Sequence, residues 1–395
     1  MQRVIFLVDM NAFYISCETA QNPELRGKPA AVAGDPKKRT GIILAANYEA
    51  RKYGVKTTML VHEAKKLYPD IILIPPNREL YEKKSREVMD ILSRYSPVIQ
   101  QNSIDEAWLD MTGCEALFGK PKDAAEKIMN AIINELDLWC SIGISENKFL
   151  AKMASEMRKP LGITELWRKD VPEKLWPLPV REMYGIGKQT EKALIEMGIH
   201  TIGDIAKSDR VFLAKKFGKF GEEIYRLANG IDESEVLENQ PVKSKSIGRS
   251  TTLPENITDL EHAKVILLKL AEEVGMEARK QNYKGRTVSI VIRYDDFKTI
   301  TRQKTVRETY LTKEIYAAGA KLLEENWNSK KPVRLLGISL NNVSSDEVEQ
   351  LSIFSLNGSD DTDKKEEKLE KAFDFIRERF GYDKIKRAVI LKEDL

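Results

Sequence analysis

The chain contains VIFLVDMNAFY at residues 4–14 and NSIDEAWLD at residues 102–110. Each stretch predicts a buried strand that abruptly presents carboxylate, as Asp9 in the first and as Asp105 and Glu106 in the second. An ionised carboxylate in apolar surroundings is costly unless it pairs with a cation or binds a metal. Three such groups brought together would repel one another, and oxygen ligands with open coordination positions suit Mg²⁺. The two stretches therefore predict a metal site.

Alternatives to this interpretation remain open for each acidic residue. An Asp at a strand end is often a turn or cap residue, and this applies to Asp9 taken alone. Side chains alternate along a strand, so Asp105 and Glu106 should face opposite sides unless the strand bends or ends there. Asp110 is interpreted as the start of a turn. If the three carboxylates do meet, two metal ions could stabilise the attacking and leaving oxygens of an in-line phosphoryl transfer.

Composition limits the class of protein. With 395 residues, of which 42% are hydrophobic, two to four domains are expected. No run of eighteen apolar residues occurs, so no membrane span is expected, and the N-terminal residues lack the pattern of a signal peptide. Cys17, Cys114 and Cys140 have no metal-ligand spacing and are odd in number, which predicts buried, inert thiols in a reducing cytoplasm. Three scattered histidines argue against zinc.

The distribution of charge suggests a polyanionic partner. The net charge is only +3 overall, but residues 241–345 carry +7 and residues 346–395 carry −4. A basic segment followed by an acidic tail is typical of a nucleic-acid surface with an appended module. Ordinary solvated charge is the alternative.

Hydrophobic patterns divide the chain into three regions. Residues 1–165 alternate strands with helices and predict an α/β unit, with strands at 4–8 and 139–144 and helices at 48–52, 61–67, 80–95 and 147–157. Short helices with glycines follow in 179–232, and 231–245 is interpreted as a linker. Beyond it, strands at 246–253, 285–294, 303–309 and 333–343 and helices at 260–282 and 313–327 give a split βαβ order. A charged helix is predicted at 365–380.

Five motifs in register resemble those of the Y-family translesion DNA polymerases of the DinB type, over roughly residues 1–345. They are Asp9–Tyr14, Ala46–Val55, Ser103–Glu106, Gly143–Lys148 and Lys159–Ile163. The resemblance implies a multidomain α/β and α+β fold shaped as a right hand. Its implied parts are a palm (1–20 and 79–166), fingers (21–78), a helix–hairpin–helix thumb (167–232), a linker (233–245), a split βαβ little finger (246–345) and a tail (346–395).

The resemblance also implies an activity and the residues that perform it. It implies a low-fidelity DNA-directed DNA polymerase without proofreading, acting on primer–template DNA and deoxynucleoside triphosphates. Two Mg²⁺ ions are implied at Asp9, Asp105 and Glu106, with the Met10 carbonyl as a further ligand. Tyr14 would exclude the ribose 2′-hydroxyl as a steric gate, although ordinary core packing would also explain an aromatic residue there.

Three residues are implied to bind the triphosphate: Tyr48, Arg51 and Lys159. Tyr48 and Arg51 are three residues apart in a predicted helix and so share a face, where a surface packing pair is the alternative. The chain departs from the family pattern at two positions. Asn11 replaces a second Asp and is not assigned as a ligand, and Ala45 lacks the hydroxyl that many relatives carry there.

Predicted DNA contacts fall in two regions. Residues 184–190 resemble a helix–hairpin–helix, in which Gly185, Gly187 and Lys188 would meet a phosphate without reading sequence. In the little finger, the candidate phosphate contacts are basic residues: Lys243, Lys245, Arg249, Arg293, Arg302, Lys304 and Arg307.

The segment Gln350–Phe354 resembles the peptide by which bacterial polymerases dock on the β sliding clamp. Leu351, Ile353 and Phe354 would fill an apolar pocket and Gln350 would fix the register, whereas an edge strand is the alternative. The protein is expected to act as a monomer in the cytoplasm, at the nucleoid.

Two other classes of protein share part of this pattern. Another palm-type enzyme, such as a nucleotide cyclase, would share the carboxylates but would not need a helix–hairpin–helix or a basic split βαβ domain. A non-catalytic, clamp-tethered DNA-binding scaffold would keep the basic surfaces, and its carboxylates would be dispensable.

Overall fold

The structure is a computed structural model that describes residues 2–39, 41–238, 245–345 and 360–391. Lys243 and the clamp-like segment Gln350–Phe354 lie outside the described residues. The chain divides into two compact units. The first consists of Met1–Asp35 and Gly41–Pro241, and the second consists of Pro36–Thr40 and Val242–Leu395. Across the described ranges, no helix combines the length and the apolar character needed to cross a bilayer.

The described part of the first unit contains eight strands in two sheets. They are β1 (Ile5–Met10), β2 (Ala30–Ala33), β3 (Ile43–Ala46), β4 (Ile72–Ile74), β5 (Ile99–Gln101), β6 (Glu106–Asp110), β7 (Cys140–Ser145) and β8 (Ile163–Glu165). One sheet has the strand order β5-β6-β1-β7-β8 and the other has the order β3-β2-β4. Strand β1 is central to the larger sheet, and every one of its residues is buried.

The predicted strand at 4–8 is confirmed and extends to Met10. It continues because antiparallel pairing with β6 and β7 includes Asp9, which lies opposite Glu106 on one side and Ser141 on the other. Directly opposed residues in an antiparallel pair project from the same face of the sheet. The pairing therefore brings two of the three predicted metal ligands side by side.

Eleven helices accompany these sheets in the described part of the first unit. They are α1 (Phe13–Gln21), α2 (Tyr48–Lys52), α3 (Val61–Leu67), α4 (Arg78–Leu92), α5 (Glu115–Phe118), α6 (Pro121–Leu136), α7 (Lys148–Met157), α8 (Lys188–Glu196), α9 (Ile202–Lys207), α10 (Arg210–Phe217) and α11 (Lys219–Ala228). The helix predicted at 80–95 begins earlier, because the Asn77 side chain accepts the Leu80 N–H and caps α4. A single π-helical turn at Val171–Leu175 follows β8.

The second unit has the predicted split βαβ order. Its elements are β9 (Ser246–Ile257), α12 (Leu260–Lys280), β10 (Lys284–Tyr294), β11 (Thr299–Thr309), α13 (Thr312–Asn326) and β12 (Val333–Ser344). The strands form one antiparallel sheet in the order β11-β10-β12-β9. A core of aliphatic side chains from the helices and one sheet face, including Leu267, Ile290 and Ile338, joins the two layers.

Helices α14 (Asp360–Phe380) and α15 (Ala388–Leu391) belong to this second unit. The charged helix predicted at 365–380 therefore exists, but it is not simply solvated. Glu370 pairs with Arg279 of α12, and Arg377 donates to Glu272 of α12 at 2.9 Å, with all four side chains almost fully buried. Removing one partner of such a buried pair leaves an uncompensated charge, so these pairs fix α14 against α12.

The expectation of buried thiols holds for two of the three cysteines. Cys17 and Cys140 are buried, and burial raises the pKa of the Cys17 thiol to about 12. The expectation is wrong for Cys114, which is partly exposed because it lies at the start of the short helix α5.

Candidate active site

A cavity of about 430 Å³ opens where β1 ends and β6 begins. Its wall brings together the metal and nucleotide residues predicted from the sequence: Asp9, Met10, Tyr14, Tyr48, Arg51, Asp105, Glu106 and Lys159. These residues come from β1, α1, α2, the bend before β6, β6 itself and the segment after α7. The cavity is therefore the candidate active site.

Asp105 and Glu106 both reach this cavity although they are adjacent in sequence. The strand begins only at Glu106, and Asp105 lies in the bend before it, so strict alternation does not apply to the pair. The Met10 N–H donates to the Asp105 carbonyl oxygen at 2.9 Å and holds this bend against β1. The exception to strand alternation that the sequence left open, a strand that bends or ends at this pair, is therefore what occurs.

Lys152 of helix α7 is a member of the site that sequence reasoning missed. Its Nζ donates to Asp9 Oδ2 at 2.9 Å, to Glu106 Oε2 at 2.7 Å and to Glu156 Oε1 at 2.9 Å. Burial alone would lower the pKa of this ammonium, but the charge of Asp9 and the hydrogen bond to Glu106 raise it above its ordinary value. Lys152 is therefore a permanent cation between the carboxylates.

Lys159 provides a second cation beside Asp9. Its Nζ donates to Asp9 Oδ1 at 2.8 Å and to Glu156 Oε1 at 2.9 Å. Asn11 supports the segment that carries Lys159, because its Oδ1 accepts the Leu161 N–H at 2.9 Å. The Asn11 amide is buried, and its Nδ2 donates to Ser141 Oγ at 3.0 Å.

Asp105 is the carboxylate of the site that lacks a cationic partner among the described residues. Burial raises the pKa of Asp105, and the negative charges of Asp9 and Glu106 raise it further. The Ser103 hydroxyl, which donates to the Asp105 carboxylate at 2.5 Å, lowers this pKa in part. A cation brought to this carboxylate would favour its ionised form.

The donor set suits a divalent ion. Within the described ranges, no three His, Cys, Asp or Glu side chains are grouped closely enough to hold an ion as they stand. However, Asp9 and Glu106 already share one cation, the Lys152 ammonium. Asp105 lines the same cavity and has no cationic partner among the described residues. Oxygen donors of this kind fit Mg²⁺ or Mn²⁺ rather than zinc.

Tyr48 and Arg51 of α2, which were predicted to bind the nucleotide, also line the cavity. Asn47 caps this helix by accepting the Ala50 N–H, and the Arg51 Nε donates to the Ala46 carbonyl at 2.9 Å. The Arg51 guanidinium lies 4.8 Å from the centre of the Tyr48 ring. The two side chains are thus held together on one face of α2, as their spacing predicted.

The Tyr48 hydroxyl is buried and has no hydrogen-bond partner, which is unusual for a buried polar atom in the described part of the chain. Burial raises the pKa of Tyr48, while the charges of Arg51 and Lys159 act to lower it. Tyr48, Arg51 and Lys159 all line the same cavity. Thr57 also lines this cavity, so a hydroxyl is available although Ala45 lacks one.

Tyr14 is held rigidly at the edge of the cavity. Its ring stacks on that of Tyr81, with centroids 4.3 Å apart and planes inclined by 12°. Tyr81 is buried in turn, and its hydroxyl donates to Glu18 Oε1 at 2.6 Å. This support is a further feature that the sequence did not reveal.

The predicted helix–hairpin–helix turn has an open backbone. Gly185 has a φ of +93°, which disfavours any other residue, and a Cβ added at Gly185 or Gly187 would meet no atom within 4 Å. Gly187 precedes the first turn of α8, where Lys188 is the first residue. Free N–H groups at a helix start attract anions.

The basic residues predicted in the little finger do not share one face of its sheet. One row across the four strands consists of Arg249-Ile338-Ile290-Arg302. Its two isoleucines belong to the core between the sheet and the helices, so this row lies on the face that packs against the helices. Arg249 is moreover engaged by Glu273 and Glu277 of α12, at 3.6 and 3.5 Å. Lys304 lies at the end of the neighbouring row on the same face, opposite Val288.

The other face of this sheet carries mostly small hydroxyl and amide side chains. Four rows cross all four strands there: Ser246-Asn341-Thr287-Thr305, Gly248-Ser339-Ser289-Gln303, Ser250-Gly337-Val291-Thr301 and Thr252-Leu335-Arg293-Thr299. Arg293 is the basic member of these rows. Short hydroxyl side chains contact phosphate oxygens in many DNA complexes, so this face is a second candidate surface that charge counting missed.

Comparison with known proteins identifies the family. The model of the impB/mucB/samB family matches residues 8–156, that of the impB/mucB/samB family C-terminal domain matches 244–353, and that of the IMS family HHH motif matches 168–199. The chain is 60% identical to DNA polymerase IV of Clostridium kluyveri, over 100% of this chain and 99% of that protein. It is 52% identical to DNA polymerase IV of Alkaliphilus oremlandii, over 99% of this chain and 100% of that protein.

A solved structure agrees with this assignment. A Y-family DNA polymerase chimera superposes with a TM-score of 0.76 at 28% identity, covering 87% of this chain and 100% of that one. The fold is thus the right-hand architecture of a polymerase, and the function is translesion DNA-directed DNA synthesis by a nucleotidyltransferase that uses divalent metal ions. The chain belongs to the Y family of DNA polymerases, in the bacterial DinB group.

Proposed function

We propose that Asp9, Asp105 and Glu106 hold two Mg²⁺ ions in the candidate active site, with the Met10 carbonyl as a further ligand. When bound, these ions would activate the primer 3′-hydroxyl and neutralise the leaving pyrophosphate. The chain's own part is to orient the ligands through the β1–β6 pairing, in which Asp9 lies opposite Glu106. A preorganised, oxygen-lined site of this kind stabilises charge as it develops in the transition state.

Tyr48, Arg51 and Lys159 would bind the triphosphate of the incoming deoxynucleotide. A planar guanidinium and an ammonium suit phosphate oxygens, and a phenol hydroxyl adds one further donor. The observation that carries this proposal is the buried, unpartnered Tyr48 hydroxyl in a cavity that Arg51 and Lys159 also line. A phosphate oxygen would satisfy it.

Replacing Tyr48 by phenylalanine tests the triphosphate contact. Tyr48→Phe is expected to raise the KM for the incoming deoxynucleotide about tenfold or more, because a hydrogen bond to a charged group is lost. Steady-state single-nucleotide incorporation measures this. Tyr53→Phe, which removes an exposed hydroxyl just after the same helix, is the matched control and should leave KM unchanged. Equal KM values for Tyr48→Phe and the wild type would exclude the contact.

Primer–template DNA would be held by two surfaces. The first is the turn at Gly185, Gly187 and Lys188, whose open backbone suits a phosphate. The second is the hydroxyl-rich face of the β9–β12 sheet together with Arg293. Both contacts would be independent of base sequence, as lesion bypass requires. We also propose that the palm, fingers, thumb and little finger have the residue boundaries that the family resemblance implies.

We further propose that Gln350, Leu351, Ile353 and Phe354 dock on the β sliding clamp. The support is the sequence pattern alone, because the segment lies outside the described residues. The polymerase would act as a monomer in the cytoplasm, at the nucleoid where its substrate lies.

Replacing Leu351, Ile353 and Phe354 by alanine is expected to abolish stimulation by the clamp while basal synthesis stays unchanged. The apolar side chains would no longer fill the clamp pocket, whereas the active site is untouched. Primer extension with and without loaded clamp measures both quantities. Ser352→Ala with Ser355→Ala is the control within the same segment. Loss of synthesis in equal proportion with and without the clamp would show that the segment is structural instead.

A further inference from the structure

Lys152 lies at the point where two predicted metal ligands converge. Its Nζ is 2.9 Å from Asp9 Oδ2 and 2.7 Å from Glu106 Oε2, and these carboxylates project from directly opposed positions of β1 and β6. The third hydrogen of the ammonium goes to Glu156 Oε1 at 2.9 Å. All three donors of the group are therefore used.

The setting of Lys152 is that of a core residue. It stands on the buried face of α7 between Ala151 and Met153, and it is 9% exposed. Lysine is almost never buried to this extent unless its charge is paired. The ammonium and the two carboxylates therefore stabilise one another, because without the Lys152 ammonium Asp9 and Glu106 would face each other as like charges.

The same two carboxylates serve the ammonium and the proposed metal site. A divalent ion and an ammonium cannot occupy one point between Asp9 and Glu106, since both are cations. Glu156 offers the ammonium another partner, because its side chain is about half exposed and already accepts from both Lys152 and Lys159.

We propose that Lys152 is a built-in counter-ion that holds Asp9 and Glu106 together in the metal-free enzyme and competes with the metal for their oxygens. This inference rests on the metal site of the proposed function. It makes Lys152 a positioning residue. Metal affinity is kept low until the negative charge of a nucleotide triphosphate joins the site.

Binding of Mn²⁺ to the enzyme without DNA or nucleotide tests the proposal. The free ion is quantified by electron paramagnetic resonance. Lys152→Met is expected to bind Mn²⁺ about tenfold more tightly than the wild type, because a competing charge within hydrogen-bond distance of the ligands is removed. Lys152→Gln should do the same and serves if the Met variant does not fold.

Two further variants make the result specific. Lys148→Met removes an ammonium from the same helix that donates to Gln100 Oε1 at 2.9 Å and lies over the Trp108 ring, so Mn²⁺ affinity should stay at the wild-type value. Asp9→Asn should abolish binding. Thermal unfolding gives an independent readout: Lys152→Met should melt below the wild type without metal, and Mn²⁺ should reduce the difference.

The outcomes separate this inference from the metal site itself. If the Lys152 variants bind Mn²⁺ no more tightly than the wild type, while Asp9→Asn still abolishes binding, the counter-ion role alone is overturned. Binding that survives Asp9→Asn would show that the ion is held elsewhere, and would overturn both the proposed metal site and the inference.

Discussion

Replacing Asp105 and Glu106 together by alanine is expected to lower the rate of nucleotide addition by about 1,000-fold or more. A single preorganised group that stabilises transition-state charge is worth about 100- to 1,000-fold in rate, and here two of the three proposed ligands are removed. Asp105 and Glu106 line the cavity at the start of β6, so the sheet itself does not depend on their carboxylates. Single-turnover primer extension measures the loss.

Two comparisons make this result informative. Primer–template affinity, measured by fluorescence anisotropy, should change by less than about twofold, because the proposed DNA surfaces are separate from the carboxylates. Asp110→Ala removes a carboxylate at the other end of β6, where it accepts the Thr112 N–H at 2.9 Å, and should keep nearly full activity. Nucleotide addition that survives the double change would refute the site assignment. Loss of DNA binding in parallel would indicate that the double variant misfolds.

Tyr14→Ala is expected to raise the incorporation of ribonucleotides relative to deoxynucleotides by about 100-fold. Forcing extra atoms against a well-packed side chain costs about 1–3 kcal/mol, and each 1.4 kcal/mol corresponds to about tenfold in rate. Tyr14 can impose this cost because stacking on the buried Tyr81 ring prevents it from yielding. The measurement is the ratio of kcat/KM for each pair of sugars opposite one template base.

Tyr14→Phe is the control for this experiment. It keeps the ring and its stacking on Tyr81 but removes the hydroxyl, so sugar discrimination should stay near the wild-type value. Unchanged discrimination in Tyr14→Ala would remove Tyr14 from the gate role. A change in Tyr14→Phe as large as in Tyr14→Ala would assign the selectivity to the hydroxyl.

The sequence predicted the framework of the active site because backbone pairing depends on short, strongly apolar runs. The stretch around Asp9 was predicted as a buried strand and forms one, and the stretch around Glu106 pairs beside it. The cavity therefore contains the predicted ligands. The orientation of Asp105 could not be predicted, since it depends on a bend that ends one residue before the strand begins.

Residues whose role depends on tertiary contacts were missed. Lys152 lies in the run Phe149–Ala154, which predicts only an amphipathic helix, although a lysine within such a buried run was a signal that its charge is paired. Tyr81 gave no signal, because its stacking on Tyr14 joins two helices distant in sequence. Likewise, the charged helix predicted at 365–380 gave no signal that Glu370 and Arg377 form buried ion pairs with α12.

The surface of the second unit shows a different limit of sequence reasoning. Counting Lys and Arg indicated a basic segment, but strand register decides which side chains share a face. Arg249 and Arg302 belong to the helix-facing row, whereas Arg293 belongs to the hydroxyl-rich face. Charge composition could therefore predict that the unit binds nucleic acid, but not which face would do so.

The proposed metal site is tested most directly by primer extension on an undamaged and an abasic template as Mg²⁺ is titrated, with the wild type beside Asp105→Asn. We expect slow, Mg²⁺-dependent extension on both templates by the wild type. We expect none by the variant, because asparagine keeps the shape of the carboxylate but not its charge. Extension by Asp105→Asn at the wild-type rate, or extension by the wild type without a divalent ion, would contradict the proposed metal site.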